Sequence, residues 1–132
     1  MVHLEVTMFK IPVEQRAEVV KNLTETVGNI LDLSRELCQR VSVLFNLKDA
    51  NEIGRGGELL ENRGEGIWHI DVYGPVFHYD KKHELGLHLT NALGDTLKLT
   101  PEQREHVFVT FHQFSPENVA SGGRMLAELV QV

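Results

Sequence analysis

The sequence predicts an α+β fold made of two tandem β-α-β units, with four strands in one sheet and two helices on one face of it. Three observations support this prediction: an internal repeat at half the chain length, a period of two in the segment that begins each half, and a helical period in the segment that follows. The chain has 132 residues, of which 42% are hydrophobic and 24% charged, so it can bury the core of one domain.

The repeat has an offset of 66 residues. At this offset residues 23–45 align with residues 89–111 without a gap, Gly56-Gly57 falls on Gly122-Gly123, and fifteen of the 66 pairs are identical. Two homologous units explain this similarity better than chance. We therefore divide the single domain into a first unit, residues 1–60, a polar linker, residues 61–66, and a second unit, residues 67–132.

Each unit reads as a strand, a long helix, a short helix and a second strand. In the first unit Leu4, Val6 and Met8 alternate with polar residues, which is typical of a strand with unlike faces. The long helices follow, about 18 residues each, with apolar residues at spacings of three, four or seven. Ser34 and Thr100 occupy equivalent positions and are predicted to cap the short helices.

The second strands are predicted over residues 40–46 and 106–112, joined to the first strands by right-handed parallel crossovers. Because both helices lie on one face, the other face of the sheet is left open. The residues predicted on this open face are His3, Glu5, Thr7, Arg40, Ser42, Leu44, Asn46, His69, Asp71, Tyr73, His106, Phe108, Thr110 and His112. This mixture of polar and apolar residues suits a subunit interface or a central channel, so we expect a closed oligomer.

Composition and spacing exclude several classes of function. The net charge of -6 and the lack of a basic run argue against a nucleic-acid partner. No apolar run suits a membrane span and no secretory signal is visible, so we expect no membrane partner and a cytoplasmic location. The lone cysteine, Cys38, is interpreted as a packing residue. No HExxH or paired-cysteine spacing occurs, so we predict no metal and no cofactor, and the open-face histidines are interpreted as interface residues.

The turn Ile53-Gly54-Arg55-Gly56-Gly57-Glu58 follows the second strand of the first unit. A short β-α-β unit whose first strand begins the chain and whose second strand leads into such a turn resembles the tautomerase superfamily. The nearest group is 4-oxalocrotonate tautomerase in its fused, two-unit form. The resemblance implies a tautomerase/MIF-like fold and a homotrimer, with six β-α-β units around a barrel.

The chemistry of that family depends on an amino-terminal proline, whose secondary amine acts as a general base or acid on enolisable 2-oxo acids. Val2 stands at this position instead. An α-amine has a reference pKa of about 7.7–8.0, which burial would lower, so the Val2 amine is a candidate catalytic base if Met1 is removed. The resemblance therefore implies either an isomerase, a keto–enol tautomerase that uses the terminal amine, or a non-catalytic trimer that binds a ligand or a protein.

The ligand that the resemblance implies is a small 2-oxo or enol carboxylic acid, bound at subunit interfaces. The second-strand arginine of the family falls on Ser42, and its aromatic residue before the turn falls on Ile53. Arg40 is expected two residues before Ser42, on the same strand face. With Arg55 and Arg124 it is a candidate to hold the carboxylate, because a guanidinium keeps its charge and presents a forked donor.

Three alternatives remain open. The arginines are equally well explained as members of surface ion pairs. Trp68, Phe77 and Tyr79 are expected to pack in the core, with the lining of an apolar pocket as the other interpretation. A dimeric α+β barrel of the ferredoxin-like monooxygenase type shares the strand-helix-strand start, and the mass in solution distinguishes it from a trimer.

Overall fold

The computed structural model describes residues 1–129 and follows the repeat. The first unit contains, in chain order, β1 (His3–Phe9), α1 (Val13–Ile30), α2 (Arg35–Cys38), β2 (Ser42–Lys48), β3 (Gly54–Arg55), β4 (Glu58–Leu59) and α3 (Leu60–Arg63). The second unit contains β5 (Trp68–Gly74), α4 (Tyr79–Leu97), α5 (Pro101–Arg104), β6 (Val107–Gln113), a 3₁₀ turn (Pro116–Asn118), β7 (Ala120–Ser121), β8 (Arg124–Met125) and α6 (Leu126–Leu129).

Four of these strands form one mixed sheet in the order β2-β1-β5-β6. Within each unit the two long strands are parallel, as the crossover predicts, whereas β1 and β5 meet antiparallel at the centre. The repeat-equivalent residues Glu5 and Asp71 are therefore direct partners across the central pair. The predicted fold class is confirmed: two β-α-β units share one sheet.

The core lies between this sheet and the two long helices. Alternate residues of β1, namely Leu4, Val6 and Met8, are at most 1% exposed and point toward the helices. The helices contribute the repeat-equivalent residues Val19, Leu23 and Val27 from α1 and Leu85, Leu89 and Leu93 from α4, all fully buried. Burial of one such side chain stabilises the fold by about 1.5–3 kcal/mol, so the sequence pattern largely determines which faces meet.

The short helices α2 and α5, which precede the second strands, are capped as predicted. The Ser34 hydroxyl accepts a hydrogen bond from the Leu37 amide at 3.2 Å. Thr100 accepts one from the Gln103 amide at 3.1 Å, and the Gln103 side chain accepts the Thr100 amide in return at 2.8 Å, which completes a capping box.

The predicted starts of the second strands were wrong. β2 begins at Ser42 and β6 at Val107, because the capped helical turns continue further than expected. The amide of Arg40 donates to the carbonyl of Leu37, and the amide of His106 donates to that of Gln103, each at 3.0 Å. Arg40 and His106 consequently lie in these turns and not on the open face of the sheet.

The linker and the aromatic residues differ in part from expectation. The predicted linker begins inside α3, which ends at Arg63 and is followed by Gly64 with a φ of +65°. Trp68 and Phe77 pack against the core, as expected, but Tyr79 is 76% exposed at the start of α4. Among residues 1–129, no helix has both the length and the apolar character needed to cross a membrane.

Candidate functional site

A cavity of about 160 Å³ lies beside the N-terminal end of β1. Its lining is apolar apart from a single charged side chain, that of Arg40. The lining residues are Met1, Val2, Leu33, Leu37, Arg40, Val41 and Leu126. A pocket with apolar walls and one cation suits an organic acid whose tail is apolar.

Val2 is buried at this cavity. Its side chain is 4% exposed, and its carbonyl oxygen accepts a hydrogen bond from the Ser42 amide at 3.3 Å. This bond extends the pairing of β1 with β2 by one residue, while Met1, just before it, is 57% exposed. The peptide nitrogen between these two residues therefore sits where the exposed chain start meets the buried strand.

Arg40 reaches the same cavity from the turn that follows α2. Its side chain is 63% exposed, and its Nη2 lies 3.9 Å from Oε1 of Glu36, one helical turn earlier. An ion pair this long and this exposed contributes little to stability. The guanidinium thus lines the cavity while it remains hydrated and able to receive a carboxylate.

The cavity is closed by a residue of the other unit. Leu126 begins α6, and its amide donates to the Val119 carbonyl at 2.8 Å. The repeat-equivalent Leu60 makes the same bond to Ile53 at 2.9 Å in the first unit. The tail of the second unit thereby covers the start of β1, so the site is built from both halves of the repeat.

Arg55 is occupied elsewhere. Its Nη1 donates to Oε2 of Glu65 at 2.8 Å and to the Gly66 carbonyl at 3.4 Å. Arg63 donates to the other oxygen of Glu65 through Nη2 at 2.8 Å and Nε at 3.0 Å, and to the Arg55 carbonyl at 2.7 Å. Hydrogen bonds from Arg55 and then Arg63 hold the pKa of Glu65 below its ordinary value. We call these three side chains the linker clamp.

The side chains of the other candidates are not part of the cavity lining. The hydroxyl of Ser42 lies 2.6 Å from Nδ1 of His3 on the open face of the sheet. Ile53 precedes β3, where its carbonyl anchors Leu60, and Arg124 is exposed at the start of β8. Of the predicted site residues, the structure brings together Val2 and Arg40 but does not add Arg55, Ser42, Ile53 or Arg124 to them.

The lining residues that sequence reasoning missed are aliphatic. Leu33 precedes α2, Leu37 lies within it and Val41 follows it, whereas Leu126 lies in the C-terminal tail. The repeat carried a signal for Leu126, because it pairs with Leu60 at the offset of 66 residues. Nothing in the sequence indicated that Leu126 would lie against the opposite unit.

The equivalent position in the second unit has different chemistry. Trp68 takes the place of Val2, and His106 takes the place of Arg40. The Trp68 ring packs so closely on Gly66 that a Cβ atom there would lie 2.5 Å from the ring. Because the indole is bulky and no guanidinium is present, the second unit lacks the combination of groups that lines the cavity at Val2.

A polar network covers the open face of the sheet. We call it the open-face network; its members are His3, Glu5, His69, Asp71, Tyr73 and His112. Asp71 Oδ1 accepts a hydrogen bond from His112 Nε2 at 2.8 Å, and the Tyr73 ring stacks on His112 with centroids 4.4 Å apart. Contact with the Glu5 carboxylate, followed by desolvation, raises the pKa of Tyr73. Within residues 1–129 no group of three or more histidine, cysteine or acidic side chains is arranged to hold a metal ion.

Solved structures with this architecture share a fold across almost the whole chain. The fused 4-OT called F6, an asymmetric trimer, superposes with a TM-score of 0.83 at 20% identity and covers 98% of this chain and 99% of its own. N1, a member of the cis-3-chloroacrylic acid dehalogenase family, superposes with a TM-score of 0.71 at 26% identity over 94% of this chain and 82% of its own. The chain has the tautomerase-superfamily fold.

A third tautomerase-fold neighbour carries information about ligands. Pt0534, in a structure inactivated by 2-oxo-3-pentynoate, superposes with a TM-score of 0.81 at 11% identity and covers 98% of this chain and 99% of its own. No protein-family model and no curated protein matches the chain. The resemblance drawn from the glycine turn and the repeat is thus confirmed at the level of the fold.

Proposed function

We propose that this protein is a tautomerase-fold trimer that binds a small 2-oxo or enol carboxylic acid in the cavity beside Val2. In this proposal Arg40 holds the carboxylate, and the aliphatic lining receives the rest of the molecule. One observation carries the proposal: the cavity brings the N-terminal segment and a solvated guanidinium together within about 160 Å³ of apolar space.

The dimensions and chemistry of the cavity support this class of ligand. Its apolar walls favour a short hydrocarbon chain or a ring, and its single guanidinium favours one carboxylate over two. Pt0534, which shares the fold, is inactivated by a five-carbon 2-oxo acid. A monocarboxylic 2-oxo acid satisfies both the charge and the apolar volume.

Proton transfer in this site depends on the state of the chain start. When Met1 is present, the nitrogen of Val2 is an amide and cannot act as a base. When Met1 is absent, the same atom is an α-amine beside the buried Val2 side chain, and amines of this kind titrate near pH 8 in water, at about 7.7–8.0. Such an amine would take the hydroxyl proton of a bound enol acid and, as the ammonium, deliver a proton to carbon, which yields the keto acid; in the reverse direction it would take the proton from carbon and return it to the carbonyl oxygen.

The second candidate function is a non-catalytic trimer of the same fold. The amide at Val2 in the chain with Met1 favours it, because binding through Arg40 needs no base. The trimer itself is supported by the fused 4-OT structure, by the open-face network and by the two exposed sheet edges, β2 and β6. In a trimer, further lining of the cavity would come from a neighbouring subunit.

The test combines turnover with binding. Untagged protein, with its first residue verified by intact mass, is assayed by ultraviolet absorbance for ketonisation of phenylenolpyruvate and 2-hydroxymuconate. Binding of phenylpyruvate is measured by calorimetry for the wild type, Arg40→Ala and Arg40→Lys. Arg35→Ala serves as the matched control, because Arg35 is an exposed arginine of α2, five residues before Arg40, that is not part of the cavity lining.

We expect Arg40→Ala to weaken binding roughly tenfold, which corresponds to about 1.4 kcal/mol, with Arg40→Lys intermediate and Arg35→Ala unchanged. Turnover that is lost when the terminal amine is blocked identifies an enzyme. Binding without turnover identifies the non-catalytic module. If no 2-oxo acid binds, or if Arg35→Ala weakens binding as much as Arg40→Ala does, the proposed site is wrong.

A further inference from the structure

Two carboxylates face each other at the centre of the open sheet face. Glu5 on β1 and Asp71 on β5 are direct partners in the antiparallel register, an arrangement that is destabilising for like charges unless other groups compensate them. The surrounding groups are imidazoles. His3 and His69 each lie two residues before a carboxylate on the same strand, and His112 approaches from β6.

The three imidazoles lie at different distances from a carboxylate that could neutralise their positive charge. His112 is paired with Asp71 at 2.8 Å, so its protonation strengthens an existing contact. His3 and His69 lie 3.9 Å and 3.6 Å from the nearest carboxylate oxygens. Their closest partners are hydroxyl groups, of Ser42 at 2.6 Å and of Thr110 at 2.9 Å, which do not neutralise a positive charge.

The charge of the open face therefore changes sign with pH. Besides the two carboxylates, the titratable and charged groups on this face are His3 from β1, Lys48 from β2, His69 and Tyr73 from β5, and His112 from β6. With neutral imidazoles, two negative charges accompany the single positive charge of Lys48. With protonated imidazoles, four positive charges accompany the same two negative charges.

We propose that the open-face network makes assembly of the trimer dependent on pH, with dissociation as His3 and His69 become protonated. This inference rests on the proposed trimer, in which three open faces come together. Like charges that approach while they lose hydration repel strongly, so an excess of positive charge on each face opposes assembly. Near neutral pH the excess is small, and the faces associate.

The experiment is light scattering with size-exclusion chromatography at pH 8, 7, 6 and 5, at constant ionic strength and protein concentration. For the wild type we expect a mass of three chains, each of 15.0 kDa, at pH 7, which falls toward one chain at pH 5. Circular dichroism at each pH verifies that the dissociated chain stays folded. His3→Gln/His69→Gln leaves two charges of each sign at pH 5 and is expected to remain trimeric there.

Two further variants make the test specific. Asp71→Asn removes one negative charge and is expected to move dissociation to a higher pH. His83→Gln/His88→Gln removes two exposed histidines from α4, on the helical side of the molecule, and is expected to behave as the wild type does. The inference is overturned if the wild type stays trimeric at pH 5, or if both histidine pairs have the same effect. A chain that is monomeric at every pH overturns the proposed trimer as well.

Discussion

Gly56 and Gly57, at the turn between β3 and β4, share a left-handed backbone but have different surroundings. Their φ angles are +63° and +84°, a region that favours glycine. A Cβ atom on Gly56 would lie 2.5 Å from Nη1 of Arg63, whereas one on Gly57 would meet nothing within 4 Å. Gly56 is needed both for its left-handed backbone and because Arg63 leaves no room for a side chain, whereas Gly57 is needed for its left-handed backbone alone.

We expect Gly57→Ala to lower the free energy of unfolding by about 1 kcal/mol, the cost of a left-handed non-glycine residue. Gly56→Ala should lower it further, because the methyl group also displaces Arg63 from the linker clamp. Urea denaturation measures both values. As a control, Gly86→Ala in α4, where a methyl group meets nothing within 4 Å, should be neutral or stabilising. Equal losses for Gly56 and Gly57 would contradict a separate role for Arg63.

Only two of the residues that line the cavity were candidates from the sequence. The repeat and the family resemblance pointed to Val2, and the need for a permanent charge pointed to Arg40; these two residues meet at one cavity. Arg55 satisfied the same chemical criterion. The sequence could not show that Glu65, in a linker, would hold it at 2.8 Å, because Glu52, Glu58 and Glu61 all lie nearer to Arg55 along the chain.

At the level of elements, the two units keep a glycine at the same position in each long helix, although the side chains that pack against it differ. Gly28 and Gly94 are equivalent residues near the C-terminal ends of the long helices. A Cβ atom would lie 2.6 Å from the Cys38 sulfur in the first unit and 2.7 Å from the Arg104 side chain in the second. Cys38 and Arg104 are themselves equivalent, which supports the interpretation of the cysteine as a packing residue.

Element types were predictable, but element ends and strand order were not. Alternation in β1 and the capping residues Ser34 and Thr100 are local signals, and the structure agrees with them. The extra helical turn before each second strand depends on single backbone bonds at Arg40 and His106, which leave no pattern in the sequence. The antiparallel centre of the sheet depends on how the two units pack, which is a tertiary property.

The contribution of the linker clamp to stability is expected to depend on pH. Because the pKa of Glu65 is lowered in the folded chain from an ordinary value of 4.5, its stabilising effect is present above pH 4.5 and is lost as the pH falls through the folded-state pKa. Glu65→Gln should therefore lower the melting temperature at pH 7, and this deficit should shrink as the pH falls below 4.5 to pH 3. Thermal unfolding followed by circular dichroism measures this, with Glu61→Gln, an exposed carboxylate in the preceding helix α3, as the control. A deficit that persists unchanged at pH 3 would show that the charge of Glu65 is not the cause.

At the level of the whole molecule, the open face carries exposed apolar side chains among its polar groups. Phe108 is 62% exposed and Leu44 is 45% exposed, each on one of the two edge strands, β6 and β2. Side chains of this size on an otherwise polar sheet face are typical of a surface that another subunit covers.

We expect Phe108→Asp to convert the proposed trimer into a folded monomer, because an unpaired charge would have to be buried in the interface. Light scattering at pH 7 measures the mass, and circular dichroism verifies the fold. Leu87→Asp is the matched control: Leu87 is 51% exposed on α4, away from the sheet, and its replacement should leave the mass unchanged. A trimeric Phe108→Asp variant would place the subunit contact elsewhere.

The central pairing of β1 with β5 has a consequence for how the protein responds to concentration. These two strands belong to one chain, so their contact is unimolecular and its equilibrium does not depend on how much protein is present. Contacts between chains are weakened by dilution, whereas this one is not. Because both units belong to one chain, formation of the four-stranded sheet is independent of protein concentration, whereas any association of whole sheets from different chains would depend on it.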